Sequence, residues 1–231
     1  MTDLVLTPRA LNRALLARQH LLERTDRPLA RVVDDMGGIQ MQYAPSGYVA
    51  LWSRMRGFSR PMLTRALEDR DVIQATLMRG TIHTVSATDF WPMLAGVRRI
   101  NREWYSRIAA PALAGIDMDA AARLVRDLLT EGPRRFAEIA AALEARGFPR
   151  AAAKAIGWRV DLVRAPPSGT WDARRADLYG LADHWTEPVP VDEDAGIVHL
   201  VRRYLGAFGP APLRDIASWM GMNVGQMRHA A

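Results

Sequence analysis

Gln40 and Gln42 are the side chains whose type and spacing point most directly to chemistry. They flank Met41 in the run Gly37-Gly38-Ile39-Gln40-Met41-Gln42-Tyr43, directly after paired glycines. In extended backbone, residues two apart face the same way with Cβ atoms roughly 7 Å apart, so both amides converge on one spot. On a helix they would diverge by about 200°, at about 100° per residue. A Gly-Gly pair after an amphipathic run is a helix stop and favours the extended case. Primary amides donate and accept hydrogen bonds without charge. Two of them can hold a water or read a base edge, but they are poor proton acceptors, so the chemistry here must need little acid or base.

Other chemistries find few residues to support them. The 231 residues include no cysteine, which excludes disulfides, thiol catalysis and thiolate metal sites. The five histidines, His20, His83, His184, His199 and His229, show no HExxH spacing and no close pair, so no metal is expected. No glycine-rich phosphate loop is present, which removes the basis for an NTPase, and no cofactor is expected. Lys154 is the only lysine among 31 basic residues, and the formal net charge is +6. Codon bias explains arginine in place of lysine but not the excess charge, which suits a polyanion, most simply nucleic acid. No apolar run nears the 18 or more residues that span a bilayer, and Met1-Thr2-Asp3-Leu4 does not open a signal peptide. A cytoplasmic protein with no membrane partner is expected.

The elements that must position the glutamines follow from periodicity and punctuation. Thr7-Pro8 starts a helix to about Leu22, with Leu11, Leu15 and Leu22 on one face. A second helix, Pro28 to Met36, turns Leu29, Val32, Val33 and Met36 inward and leaves Asp34 and Asp35 on the exposed face. Pro45-Ser46-Gly47 reads as a turn before a mixed stretch from Tyr48 to Met55, and Pro61 opens a helix to Glu68. Val72 to Val85 reads as strand, Arg79-Gly80 turn and strand. Three helices and a two-stranded ribbon make a winged helix. A helix from Thr88 and a second helical stretch through Trp104 complete the unit, with Trp52, Trp91 and Trp104 expected in the core.

The pattern then repeats. Helices are expected at Asp119–Leu129, Arg135–Ala145 and Arg150–Ile156, followed by a ribbon that turns at Pro166-Pro167-Ser168-Gly169 and returns from Asp177 to Trp185. Gly132-Pro133 with Phe136, Glu138, Ile139 and Ala140 matches Gly209-Pro210 with Leu213, Asp215, Ile216 and Ala217, at an offset of 77 residues and without a gap. The expected fold is mainly α with short β-hairpins in tandem winged helix-turn-helix units. The expected units are 1–112, 113–190 and a partial third at 191–231, which stops at Gln226-Met227-Arg228-His229-Ala230-Ala231 inside its third helix, as a truncated product or fragment would.

Tandem winged helices, Gln40-Met41-Gln42 soon after the second helix, and the hairpin Leu77-Met78-Arg79-Gly80-Thr81-Ile82-His83 together resemble the AlkZ/YcaQ-like winged-helix DNA glycosylases over essentially the whole chain. The resemblance implies a monofunctional glycosylase that hydrolyses the N-glycosidic bond of alkylated purines in double-stranded DNA, without metal, cofactor or lysine Schiff base. Some members unhook interstrand crosslinks, and several protect bacteria from their own DNA-alkylating antibiotics. One branch has aspartate at the second motif position, whereas Gln42 places this chain with the AlkZ-like branch. The family usually adds a complete third winged helix and a C-terminal β-barrel.

The residues agree with this chemistry. A purine alkylated at N7 or N3 is cationic and leaves as a neutral base without prior protonation, so the protein must chiefly place a water beside the developing oxocarbenium sugar. Gln42 is expected to orient that water, and Gln40 to share it or contact the deoxyribose. Tyr43 is placed to pack against an unstacked nucleotide. Arg54, Arg56 and Arg60 form a cluster for flanking phosphates. Arg79 at the hairpin tip and His83 on the return strand could reach nucleic acid, and Arg150 and Lys154 share the expected recognition face of the second unit. Arg79 with His83, and Arg150 with Lys154, are equally explained as solvated charge, whereas the nearness of Arg54, Arg56 and Arg60 to the motif favours a phosphate-binding role. A monomer is expected, since tandem units do not need a partner copy. A transcriptional regulator that reads one duplex sequence, or a scaffold for a partner protein, would have the same fold.

Overall fold

The computed structural model describes residues 6–228. The chain is mainly helical with one small antiparallel sheet. Thr7 caps α1 (Pro8–Arg18) by accepting from the Ala10 N–H. Then come α2 (Leu29–Asp35), β1 (Ile39–Gln40), α3 (Pro45–Trp52), α4 (Arg60–Glu68), β2 (Val72–Thr76) and β3 (Ile82–Ser86). After α5 (Ala87–Leu113) the same order returns as α6 (Met118–Thr130), β4 (Arg134–Arg135), α7 (Phe136–Glu144), α8 (Arg150–Ala155), β5 (Leu162–Arg164) and β6 (Leu178–Leu181). The short α9 (Ala182–Trp185) leads to α10 (Glu193–Phe208), α11 (Leu213–Met220) and α12 (Val224–Arg228). His229, Ala230, Ala231 and Met1 to Leu4 lie outside the described residues.

Helix, strand, two helices and a ribbon is the winged-helix order, and it occurs twice. The repeated runs at Gly132-Pro133 and Gly209-Pro210 both lead into second helices, α7 and α11. The two ribbons share one six-stranded sheet of order β1-β3-β2-β5-β6-β4, joined where Gln74 meets Arg164 and Ala75 meets Val163. The third set of helices docks on the first ribbon. Ile197 and Leu200 of α10, with Ile216 and Met220 of α11, share a core with Ile73, Val85, Phe90, Met93 and Val97. At the α5–α10 crossing a Cβ on Gly196 would lie 2.4 Å from the Gly96 nitrogen, so only glycine permits this approach. No described helix is long and apolar enough to cross a membrane.

Several expectations change. Pro45-Ser46-Gly47 opens α3 with proline in its first turn instead of forming a loop turn. The two helical stretches after Thr88 are one helix of 27 residues with Pro92 and Pro111 inside it. The strand expected up to Trp185 ends at Leu181. α1 buries no residue, and its Leu11, like Leu22 beyond it, is exposed. Trp91 is in the core, but Trp52 and Trp104 are about half exposed, with the Arg24 guanidinium over Trp52. Asp34 is buried, because α10 brings Arg203 to within 3.7 Å of it.

Candidate active site

The sequence pattern around the glutamines works as a local mechanism. Gly37 and Gly38 have φ of 69° and 85°, which turns the chain out of α2 into edge strand β1. β1 pairs antiparallel with β3, Ile39 opposite Thr84 and Gln40 opposite His83. The Met41 N–H extends the ladder to the Ile82 carbonyl at 2.8 Å. The return bond, from the Ile82 N–H, goes at 3.2 Å to the side-chain Oε1 of Gln42, where regular pairing would supply the Met41 carbonyl. Gln40 and Gln42 are exposed on either side of buried Met41.

Met41 pins this arrangement from beneath. Its Sδ lies 2.9 Å from Thr84 Oγ1 and 3.6 Å from Gln74 Nε2. It sits under Gly47 of α3, where an added Cβ would meet Sδ at 2.4 Å. Ser46 Oγ closes the turn by donating to the carbonyls of Gln40 and Tyr43.

Gln40 shares its side of the strands with His83 and, by alternation, Thr81, whereas Gln42 lies in a bend just past the end of β1, with its amide oxygen on the Ile82 N–H. His83 is 2% exposed, and its Nδ1 lies 3.0 Å from the Thr81 carbonyl. A carbonyl only accepts, so Nδ1 carries the proton and Nε2 the lone pair. Burial pushes the imidazole pKa down to about 4; the Thr81 bond opposes this and the Arg79 charge adds to it. At neutral pH the site therefore presents two amides and an uncharged ring, and nothing in this trio repels a cationic nucleobase.

The loop between β5 and β6 covers the other side. The Gly169 carbonyl accepts from Gln74 Nε2 at 3.0 Å, and Trp171 meets the Tyr48 ring edge-on at 5.6 Å. Arg174 donates to the Tyr43 hydroxyl at 3.2 Å, a link between distant segments with no signal in sequence.

The residues nominated for DNA contact are not all brought together. Tyr43 is 59% exposed beside the motif. Arg60 is exposed, over the Trp171 ring at 5.1 Å. Arg150 pairs with Glu144 at 3.4 Å and Lys154 is exposed, both on α8. Arg54 is half-buried and ties α3 to Gln19, so it faces inward, and burial lowers its pKa. Arg56 holds the Arg24 carbonyl and Glu23. Arg79 differs most from the expected free wing tip. Its guanidinium donates to the Trp219 carbonyl in the last turn of α11, and Gly221 fits against its backbone. His83 is buried beside Gln40 and is not presented as an exposed charge.

A basic cleft of about 980 Å³ between α5, the turn Ile156–Trp158 and the loop before α12 was not anticipated. Arg98, Arg99, Arg102, Arg107 and Arg159 line it against Glu103 and Glu193; neither glutamine does. Arg98 pairs with Asp161, Arg99 with Glu193 and Glu103, and Arg159 with Asp119. Arg102 donates to the Trp158 carbonyl, and burial, with Arg98 and Arg159 adding to it, holds its pKa below the usual value. Four arginines within ten residues of α5 were the available signal. Among the described residues no group of three His, Asp or Glu side chains could hold a metal ion.

The comparisons with known proteins bear on the fold and the family. The solved structure of the Streptomyces sahachiroi DNA glycosylase AlkZ superposes with a TM-score of 0.80 at 20% identity, covering 98% of this chain and 65% of that one. A curated relative from Streptomyces sahachiroi, an interstrand DNA cross-link repair glycosylase, is 24% identical over 228 residues. That match covers 90% of this chain, which spans 59% of the relative's length. The family model described as DNA glycosylase AlkZ-like matches residues 33–231, from the second turn of α2 onward. The chain belongs to the AlkZ-like DNA glycosylase family.

Proposed function

We propose that this chain hydrolyses the N-glycosidic bond of purines alkylated at N7 or N3 in double-stranded DNA, as a monofunctional glycosylase acting as a monomer. The observation that carries this is the pair of exposed amides, Gln40 and Gln42, held at the end of an edge strand on either side of buried Met41. The alkylated base departs with the bonding electron pair and becomes neutral. A water adds its oxygen to C1′ of the resulting oxocarbenium sugar and loses its proton to solvent. The protein's task is to place that water, which two uncharged amides can do. Gln42 orients the water, and Gln40 shares it or holds the deoxyribose. Tyr43, braced by Arg174, packs against the exposed nucleotide, and the basic cleft on α5 follows the backbone. A bulkier lesion, including one strand of a crosslink, fits the same chemistry because the base need only be cationic.

Release of 7-methylguanine and of a bulkier N7-alkylguanine from duplex DNA tests this. Gln40→Ala and Gln42→Ala should each slow single-turnover release by about 10²–10³-fold, the usual effect of removing one preorganised group. Gln40→Ala should unfold within about 0.5 kcal/mol of the parent, and Gln42→Ala, which loses the Ile82 bond, within about 1.5 kcal/mol. Sequence-selective duplex binding without base release from either substrate would instead identify a regulator.

A further inference from the structure

The proposed hydrolysis leaves one group on the glutamine side of the sheet without a role. His83 is the register partner of Gln40. Met41 and Ile82 form the neighbouring hydrogen-bonded pair, so Gln40 and His83 form the close kind, with Cβ atoms about 4.5–5.5 Å apart. The Thr81 carbonyl engages Nδ1–H, which makes Nε2 an acceptor.

A glutamine amide presents an acceptor or a donor according to which way round it sits, and the two orientations have nearly the same shape. Gln42 is set by the main chain: the Ile82 N–H takes its Oε1, which leaves its NH2 outward as donor. Among the described residues Gln40 has no such anchor. We propose that His83 supplies it, Nε2 accepting a hydrogen bond from the Gln40 NH2 so that Gln40 Oε1 faces outward. His83 is thus a positioning residue. The site then presents a matched pair, in which Gln40 Oε1 accepts a hydrogen bond from the water and Gln42 NH2 donates to its oxygen or to the sugar. The inference rests on the glycosylase proposal above for its functional meaning. A protonated imidazole would be a donor at both nitrogens and would turn the Gln40 amide round, which gives a reason for burying this histidine where it stays uncharged.

Two experiments test it. The first reads the imidazole ¹⁵N resonances of the folded chain. The expected result is a proton on Nδ1, and an unprotonated Nε2 whose resonance moves in Gln40→Ala. A proton on Nε2 instead, or an Nε2 signal indifferent to Gln40→Ala, overturns the proposal. This readout needs no activity, so a chain that released no base would refute the glycosylase proposal and leave the His83–Gln40 contact to be judged by its resonances. The second compares single-turnover release of 7-methylguanine by His83→Leu and His83→Gln. His83→Leu should slow release about tenfold or more with duplex affinity unchanged. His83→Gln, whose amide oxygen can stand near the place of Nε2, should recover the rate to within about threefold of the parent. An unchanged rate in His83→Leu, or equal losses in both variants, overturns the positioning role. If His83→Leu fails to fold, His83→Gln must still outperform His83→Asn, whose amide reaches only the Nδ1 position.

Discussion

Gly47→Ala should damage the site from behind, although it places a better helix former in the first turn of α3. On an exposed helix the exchange would stabilise by about 1 kcal/mol. Here the new Cβ would lie 2.4 Å from Met41 Sδ, 2.8 Å from Cγ and 2.9 Å from Cε, whereas ordinary contact begins near 3.4 Å. Met41 must yield by about 1 Å, and it is 1% exposed, with Thr84 and Gln74 against its sulfur. Overpacking of this kind costs about 1–3 kcal/mol. The net loss is then about 0–2 kcal/mol, or a fall in Tm of a few degrees in a chain of this size. Activity should fall much further, because Met41 lies between the two glutamines and a displacement of about 1 Å in a positioned group can cost about 10²-fold. Thermal unfolding and single-turnover base release would be measured for Gly47→Ala, Met41→Ala and the double variant. The double variant should be more stable than the sum of the single effects by about 1 kcal/mol, since the vacated sulfur leaves room for the new methyl. A Gly47→Ala chain with raised Tm and the parental rate would refute Met41 as the wedge that sets the glutamines.

Other perturbations follow from the same contacts. Gly169→Ala, at φ of 77° and with its Cβ 2.3 Å from Gln74 Oε1, should destabilise by about 2 kcal/mol or more and expose the β5–β6 loop to limited proteolysis. Burial pushes the Asp89 carboxyl up, but bonds from His199 and Arg203 outweigh it and hold the pKa below the ordinary value. Its contribution is therefore present above about pH 4 and is lost as pH falls through the lower folded value. Asp89→Asn should lose about 2 kcal/mol at pH 7 and show a shallower acid limb in urea denaturation. Arg102→Ala should weaken duplex binding uniformly across sequences and reduce the salt slope of log K by about 1, read by fluorescence anisotropy.

What could be foreseen depended on how local the cause was. The hairpin Val72 to Val85 was readable because β-branched residues flank Arg79-Gly80, and the structure pairs Val72 with Ser86 and Thr76 with Ile82. The exposed–buried–exposed order at Gln40, Met41 and Gln42 was likewise fixed by Gly37-Gly38 next door. Pro45-Ser46-Gly47 misled because its glycine serves a tertiary contact, room for the Met41 sulfur, and not a bend. Asp34 belonged on the outer face of an isolated α2, but Arg203 arrives from a helix 169 residues later and makes burial tolerable. Arg79 and His83 read as reaching nucleic acid or as solvated charge; the acceptor that ties Arg79 down is the Trp219 carbonyl, which no short-range pattern announces. The basic cleft combines side chains from α5, the Ile156–Trp158 turn and the loop before α12, each unremarkable alone.

The shared sheet also sets a timetable for synthesis. β2 is complete early, yet one of its edges waits for β5, since Ala75 pairs with Val163, 88 residues later. At about 5–20 residues per second the ribosome needs about 4–18 s to make that stretch. Throughout that interval the nascent chain carries an open strand edge, the feature most prone to pairing with the wrong neighbour. The run Asp69-Arg70-Asp71 before β2 and Arg79 after it place charges on both flanks of Val72–Thr76, where they discourage such pairing. A charge-neutral flank should leave the finished fold nearly as stable but lower the yield of soluble chain, a penalty visible during translation and absent from equilibrium unfolding.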